Sequence, residues 1–191
     1  MNKALELVQE LIQLKNAPGK HDQKTHAPNI SAKDALEWYV VSGTNLNTQL
    51  RAGIEPIELE AKKVIQLLEN APILGKETRL YRGLEYQQEV PDVDLGIVST
   101  SKNDKIAEQF VGSSVHSGNV TLHGTMLIMD VDPNVRALNI GGPQEEVLLQ
   151  PRVRFVETMR SEGVIPKGYG FGSKINYIWL NVLPPNNDEK S

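Results

Sequence analysis

Hydrophobic positions in the first seventy residues recur at helical spacing. Leu5, Val8, Leu11 and Ile12 predict an amphipathic helix over residues 3–15, stopped by the proline and glycine of NAPGK. The polar stretch GKHDQKTHAPN reads as a linker, and Ser31 followed by Asp34 has the form of a capping box. A second helix then runs through Ala35, Leu36, Trp38, Tyr39 and Val40, with Gly43 expected to close it. LNTQLRA predicts a short further helix. Pro56 suits the first position of a third, whose Ala61, Val64, Ile65 and Leu68 face inward.

Beyond Pro72 the period changes from about 3.6 to about 2. TRLYRGL, LGIVSTS, GTMLIMDV, VRALNI, EEVLLQ, RVRFVET and KINYIWLNV combine β-branched and aromatic residues between Gly, Pro and Asn, and each predicts a strand. One helix, over residues 104–111, interrupts them. Helices followed by a mostly antiparallel strand region predict an α+β fold. The organisation expected is an N-terminal helix and polar linker over residues 1–30, one domain over 31–184 and a short tail over 185–191.

Composition narrows the partners. The 191 residues are 39% hydrophobic and 23% charged, ordinary for a globular chain able to bury a core. A net charge of −4 removes bulk attraction to nucleic acid or to an anionic membrane. No apolar run is long enough to span a bilayer, and the N-terminus lacks the form of a secretory signal. With no cysteine, disulfides, thiolate nucleophiles and Cys-bound zinc are excluded. His21 and His26 flank Asp22, but that spacing does not put both imidazoles on one helix face and no third ligand stands nearby, so no metal is expected.

Four polar features sit on or beside the expected strands and helices: Arg82 in LYRG, Ser99, Thr100 and Ser101 in VSTS, Gln144 and Glu146 in PQEEVLL, and Asn47 in LNTQLR. Singly, each has an ordinary reading: an arginine on a surface ion pair, hydroxyls capping the next helix, an acidic turn. Strand alternation places Gln144 and Glu146 on one face and Glu145 on the other. GYGFGSK lacks the strand and spacing of a phosphate loop and reads as a turn into the last strand.

In this order, Arg on one strand, Ser-Thr-Ser on the next and Gln-x-Glu opening a later strand, the chain resembles the Arg-Ser-Glu class of mono-ADP-ribosyltransferases, similar to clostridial Rho-modifying exoenzymes and binary-toxin enzymatic domains. LNTQLR is similar to that family's Ile-Asn-x-x-Leu-Arg segment, and Phe110 follows the serines where the family has an aromatic. VLLQPRVRF resembles the segment after its catalytic glutamate. KHDQKTH resembles a polar segment of tailed-phage structural proteins, which suggests a phage-derived gene.

The resemblance implies two packed sheets around an NAD cleft and transfer of ADP-ribose to a protein side chain with release of nicotinamide, without a metal. It makes Glu146 the carboxylate beside the ribose, Ser99 its orienting partner and Gln144 the acceptor-facing residue. Arg82 with Gly83, Asn47, Arg51, Ser99, Thr100, Ser101 and Phe110 would hold NAD. Glutamine two before the glutamate implies an amide acceptor, as on a Rho-type small GTPase, because an amide can be aligned by a group that both donates and accepts hydrogen bonds. The expected protein is a monomeric toxin or effector acting in a target cell's cytoplasm, or in the bacterial cytoplasm if phage-borne. Two other readings stand beside it: an NAD glycohydrolase toxin, and a binding module on a degenerate transferase fold. The loop NIGGPQEE departs from many family members in lacking an aromatic residue, and Gly43 stands where some carry a tyrosine.

Overall fold

The computed structural model describes residues 30–84, 89–111, 123–164 and 174–186. The expected N-terminal helix, the KHDQKTH linker, the GYGFGSK turn and most of the tail lie outside these. Three helices and eight strands make up the described part: α1 (Ala32–Arg51), α2 (Leu59–Glu69), β1 (Thr78–Leu84), β2 (Val93–Asp94), β3 (Val98–Ser101), α3 (Asp104–Glu108), β4 (His123–Val131), β5 (Ala137–Gly141), β6 (Glu146–Leu149), β7 (Val153–Val164) and β8 (Lys174–Leu183).

α1 starts where the cap predicts. The Ser31 hydroxyl oxygen accepts from the Asp34 amide at 3.1 Å and donates to the Asp34 carboxylate at 2.7 Å, satisfying a free N–H of the first turn. Gly43 does not end the helix, and the separate helix expected at LNTQLRA is its continuation. Gly43 serves packing instead: a Cβ there would stand 2.9 Å from Cε2 of the buried Tyr39 ring. The terminator is Gly53, at φ +69°. Its N–H donates to the Leu50 carbonyl at 3.0 Å and that of Ile54 to Gln49 at 2.9 Å, the pair of reversed bonds that a left-handed glycine permits. Pro56 is buried in the connection ahead of α2. Glu58 is still extended, so that helix begins three residues later than expected.

The two packed sheets expected are one hydrogen-bonded ladder of eight strands, in the order β2-β7-β8-β4-β1-β3-β6-β5. All pairs are antiparallel except β4 with β8. The joint between β1 and β3 is a single register pair, Tyr81 with Ser101. The five strands on one side and the three on the other are thus hinged at one point. Both halves contribute to one apolar cluster that contains no helix residue, with Leu80, Val98, Leu127, Met129, Val147, Leu149, Val153, Ile178 and Leu180 among its members. A strongly twisted sheet of this width curls so that its halves bury the same face against each other.

Helices cover the other face. α1 and α2 pack on Ile97, Leu138 and Leu148, while Ala107 and the neighbouring Val111 pack on Met126 and Ile175. The strands between are covered on both sides, so β6 reads Val147, Leu148, Leu149 without alternation and all three are buried. Truncating Leu148 to alanine would cost about 2–5 kcal/mol. The two-residue β2 has no sequence signal, and β7 runs well past the RVRFVET segment. Among the described residues no helix is long and apolar enough to cross a membrane.

Candidate active site

Where the halves of the sheet part beyond Tyr81 and Ser101, a cleft of about 200 Å³ opens, lined by Arg82, Gly83, Ser99, Thr100, Ser101, Phe110, Gln144 and Glu146 together with Tyr81, Ile106 and Ala107. Eight of the ten candidate residues read from the sequence are therefore brought to one place from β1, β3, the segment after α3, and the turn into β6.

The three hydroxyls of β3 all reach toward β6. Ser99 Oγ donates to Glu146 Oε1, a short bond between residues that are diagonal neighbours in the ladder, since Ser99 lies opposite Leu148. Thr100 Oγ1 donates to the Val147 carbonyl at 2.7 Å. Ser101 Oγ donates to the Gln144 carbonyl at 2.8 Å and accepts from the Asn103 amide at 3.0 Å. The helix after the serines is capped by Asn103, whose side chain accepts from the Lys105 amide at 3.0 Å, so the serines are not its cap.

β6 begins at Glu146, and Gln144 and Glu145 belong to the turn that precedes it. Strand alternation is therefore not what separates them. Gln144 and Glu146 line the cleft and Glu145 does not, with Glu145 at φ +47°.

Arg82 follows Leu80 on one face of β1: Leu80 is in the core, and two residues on the guanidinium emerges at the seam. Among the described residues it makes no ion pair or hydrogen bond. Burial, then the like charge of Arg51, pushes its pKa down, opposed by Asp94, Tyr39 and Glu146. A desolvated, unpaired cation in a cleft is suited to an anion. Gly83 is required by packing, since a Cβ there would stand 2.0 Å from the Ala107 carbonyl oxygen. Its absence lets the α3 segment lie against β1 and brings Phe110, 42% exposed, to the cleft.

Asn47 and Arg51 are not part of the lining. Asn47 is buried with both ends of its amide engaged: Oδ1 accepts from the Ile97 amide at 2.7 Å and Nδ2 donates to the Tyr39 hydroxyl at 3.2 Å. Tyr39 and Asn47 are about 12 Å apart along the helix axis; the Tyr39 ring lies over Gly43 between them, and the Asn47 side chain meets its hydroxyl across the remaining distance. Burial raises the Tyr39 pKa; the Asn47 hydrogen bond opposes this, the nearby Glu146 charge adds to it, and Arg82 and Arg51 oppose it. Arg51 makes a two-pronged bond to Asp94, 2.8 and 2.9 Å, and its pKa is raised by that partner. Asp94 also accepts from the Gly96 amide at 2.9 Å. These contacts tie α1 to the segment that leads into Ser99. The sequence places Tyr39 on the second helix without linking it to the site, and it does not single out Asp94. Asp94 pairs with an arginine 43 residues away, a distance at which no local pattern signals anything.

No protein-family model matches the chain, and no curated protein matches it by sequence. Solved structures do. The ADP-ribosyltransferase Vis toxin from Vibrio splendidus superposes with a TM-score of 0.53 at 17% identity, over 99% of this chain and 88% of that one. Exoenzyme S from Pseudomonas aeruginosa, in a complex bound to carba-NAD, gives 0.53 at 16%, over 94% and 88%. The C3 exoenzyme of Clostridium limosum gives 0.53 at 14%, over 93% of each.

Proposed function

The chain has the fold of bacterial ADP-ribosyltransferase toxins, and we propose that it is an NAD-dependent mono-ADP-ribosyltransferase acting on a protein side chain. The observation that carries this reading is the union in one cleft of a carboxylate held by a serine, Glu146 with Ser99, and an arginine, Arg82, that makes no ion pair among the described residues. The residues fit NAD by their chemistry: a desolvated cation for a diphosphate, an aromatic face at Phe110 for a planar ring, and a carboxylate for a ribose hydroxyl. NAD supplies a glycosidic bond to a good leaving group, nicotinamide, whose departure places positive charge on the ribose.

Each side chain then has a defined task. Glu146 offers negative charge where the ribose becomes electron-poor, and the Ser99 hydroxyl fixes that carboxylate before the reaction, so no reorganisation is needed when charge develops. Arg82 grips the anionic end. Thr100 and Ser101 hold the start of β6 and its turn to β3. Gln144, exposed at the cleft, can donate to and accept from an amide, which supports an asparagine or glutamine acceptor as on a Rho-type small GTPase. The acceptor nitrogen gains the ribosyl carbon and gives up a proton, and nicotinamide leaves. In this reading the protein is an effector whose target lies in a cell's cytoplasm.

The test is nicotinamide release from NAD by the wild type and by Glu146→Gln, with and without a cell lysate as acceptor. Glu146-dependent release with labelling of a lysate protein is expected. Release without labelling would turn the reading to a glycohydrolase, and failure both to release nicotinamide and to bind NAD would leave a docking module.

A further inference from the structure

The turn between β5 and β6 carries three residues with left-handed backbone: Gly141 at φ +64°, Gly142 at φ +76° and Glu145 at φ +47°. For the glycines this is ordinary. Glu145 is one of two non-glycine residues among those described with positive φ, the other being Arg152 at φ +65°. Such a conformation is uncommon for a residue with a Cβ, and it persists only where the surroundings demand it.

The demand is visible. The Glu145 amide donates to the Gly142 carbonyl at 3.2 Å, closing a four-residue turn, and its own carbonyl accepts from the Lys102 amide at 3.4 Å. One residue later the chain enters β6 with Glu146 opposite Gly141 on one side and Ser101 on the other. Side chains on a strand alternate, so an entry displaced by one residue would carry the Glu146 carboxylate to the opposite face, away from Ser99. The Glu145 side chain itself is exposed and takes no part in lining the cleft.

We infer that Glu145 is a positioning residue for the proposed transfer: its left-handed backbone, and not its carboxylate, sets the register that presents Gln144 and Glu146 to one cleft. The inference rests on the transferase reading of that cleft. Substitutions at this position should sort by their tolerance of positive φ. Glycine and asparagine reach it readily, whereas a β-branched residue does not.

The experiment compares full-length wild type, Glu145→Gly, Glu145→Asn and Glu145→Val in NAD cleavage and protein labelling, with the unfolding midpoint of each measured alongside. Glu145→Val should lose about 10²-fold in kcat, the scale of a misplaced catalytic group. Its KM for NAD should change far less than kcat, because Arg82, the proposed anion contact, sits on a different strand. Glu145→Gly and Glu145→Asn should stay near wild type. Wild-type kcat in Glu145→Val overturns the inference, as does a loss in the Gly and Asn variants equal to that of Val, which would assign the work to the carboxylate. If the wild type itself neither cleaves NAD nor labels a protein, the underlying reading falls and this inference with it.

Discussion

The Ser99 hydroxyl donates to the Glu146 carboxylate although Ser99 lies opposite Leu148 in the ladder. The bond therefore runs diagonally across β3 and β6, and it binds the mouth of the cleft to the strand that continues into the core. Glu146 is held from a residue whose own backbone is fixed by pairing.

Removing either partner should reduce nicotinamide release. Glu146→Gln is expected to lose about 10²–10³ in kcat and Ser99→Ala about 10-fold to 10²-fold, the range for deleting a preorganised polar group. Because the two act as a unit, the double variant should be little worse than Glu146→Gln alone. Equal and additive losses would show that Ser99 does not act through the carboxylate.

Arg82 stands in the cleft with no ion pair or hydrogen bond to any described residue. Arg82→Ala should weaken NAD binding about 10-fold to 10²-fold, the scale of one lost charge-assisted contact. Arg82→Lys should recover only part, since an ammonium cannot make paired planar donations. Calorimetric titration with NAD measures both, and unchanged affinity in Arg82→Ala would remove the residue from the anion site.

Gly83→Ala should damage fold and site together. The added methyl meets the Ala107 carbonyl oxygen, which belongs to backbone and cannot rotate away, so α3 must shift from β1. A loss of about 1–3 kcal/mol is expected from such overpacking, read from urea unfolding, along with reduced activity because Phe110 moves with the helix.

Asn47→Ala separates a structural role from a binding one. Its carbonyl oxygen serves the buried Ile97 amide and its amide group serves Tyr39. Loss of the side chain leaves the Ile97 donor without a partner, at about 1–3 kcal/mol. The expected signature is lower stability with NAD affinity retained in the folded fraction. A drop in affinity without a change in stability would instead give Asn47 a direct part in holding NAD.

The pair between Arg79 and Asp130, 2.7 and 2.8 Å, predicts one acid-side effect. The hydrogen bond from Arg79 holds the Asp130 carboxyl below its ordinary value. A depressed folded value means that Asp130 contributes stability above the unfolded pKa, about 3.9, and that this contribution disappears as pH falls through the folded value. Arg79 is 54% exposed, so solvent screening limits the effect to below about 1 kcal/mol. Asp130→Asn should flatten the fall of stability below about pH 4 by that amount, and an unchanged acid limb would mean the pair contributes nothing.

Local chemistry made much of this protein legible from its sequence. The Ser31 cap, the inward faces of α1 and α2, and most of the strands follow from hydrogen-bonding side chains and from periods of 3.6 and 2, which operate over a few residues. The types and order of the cleft residues were readable as well, because an arginine, a run of hydroxyls and a Gln-x-Glu need no tertiary knowledge to be noticed. Distant pairing was not readable. Gly43 and Gly53 look alike in the chain, yet one lies under the Tyr39 ring and the other terminates the helix in a left-handed turn. The pairing of Arg51 with Asp94, the bond from the Ile97 amide to Asn47 and the two-residue β2 depend on segments more than forty residues apart. The tertiary structure alone decided that the sheet is one ladder hinged at Tyr81 and Ser101, because strand partners are chosen by burial of shared faces and not by neighbours in sequence. That hinge opens the cleft and turns three separate sequence features into one site.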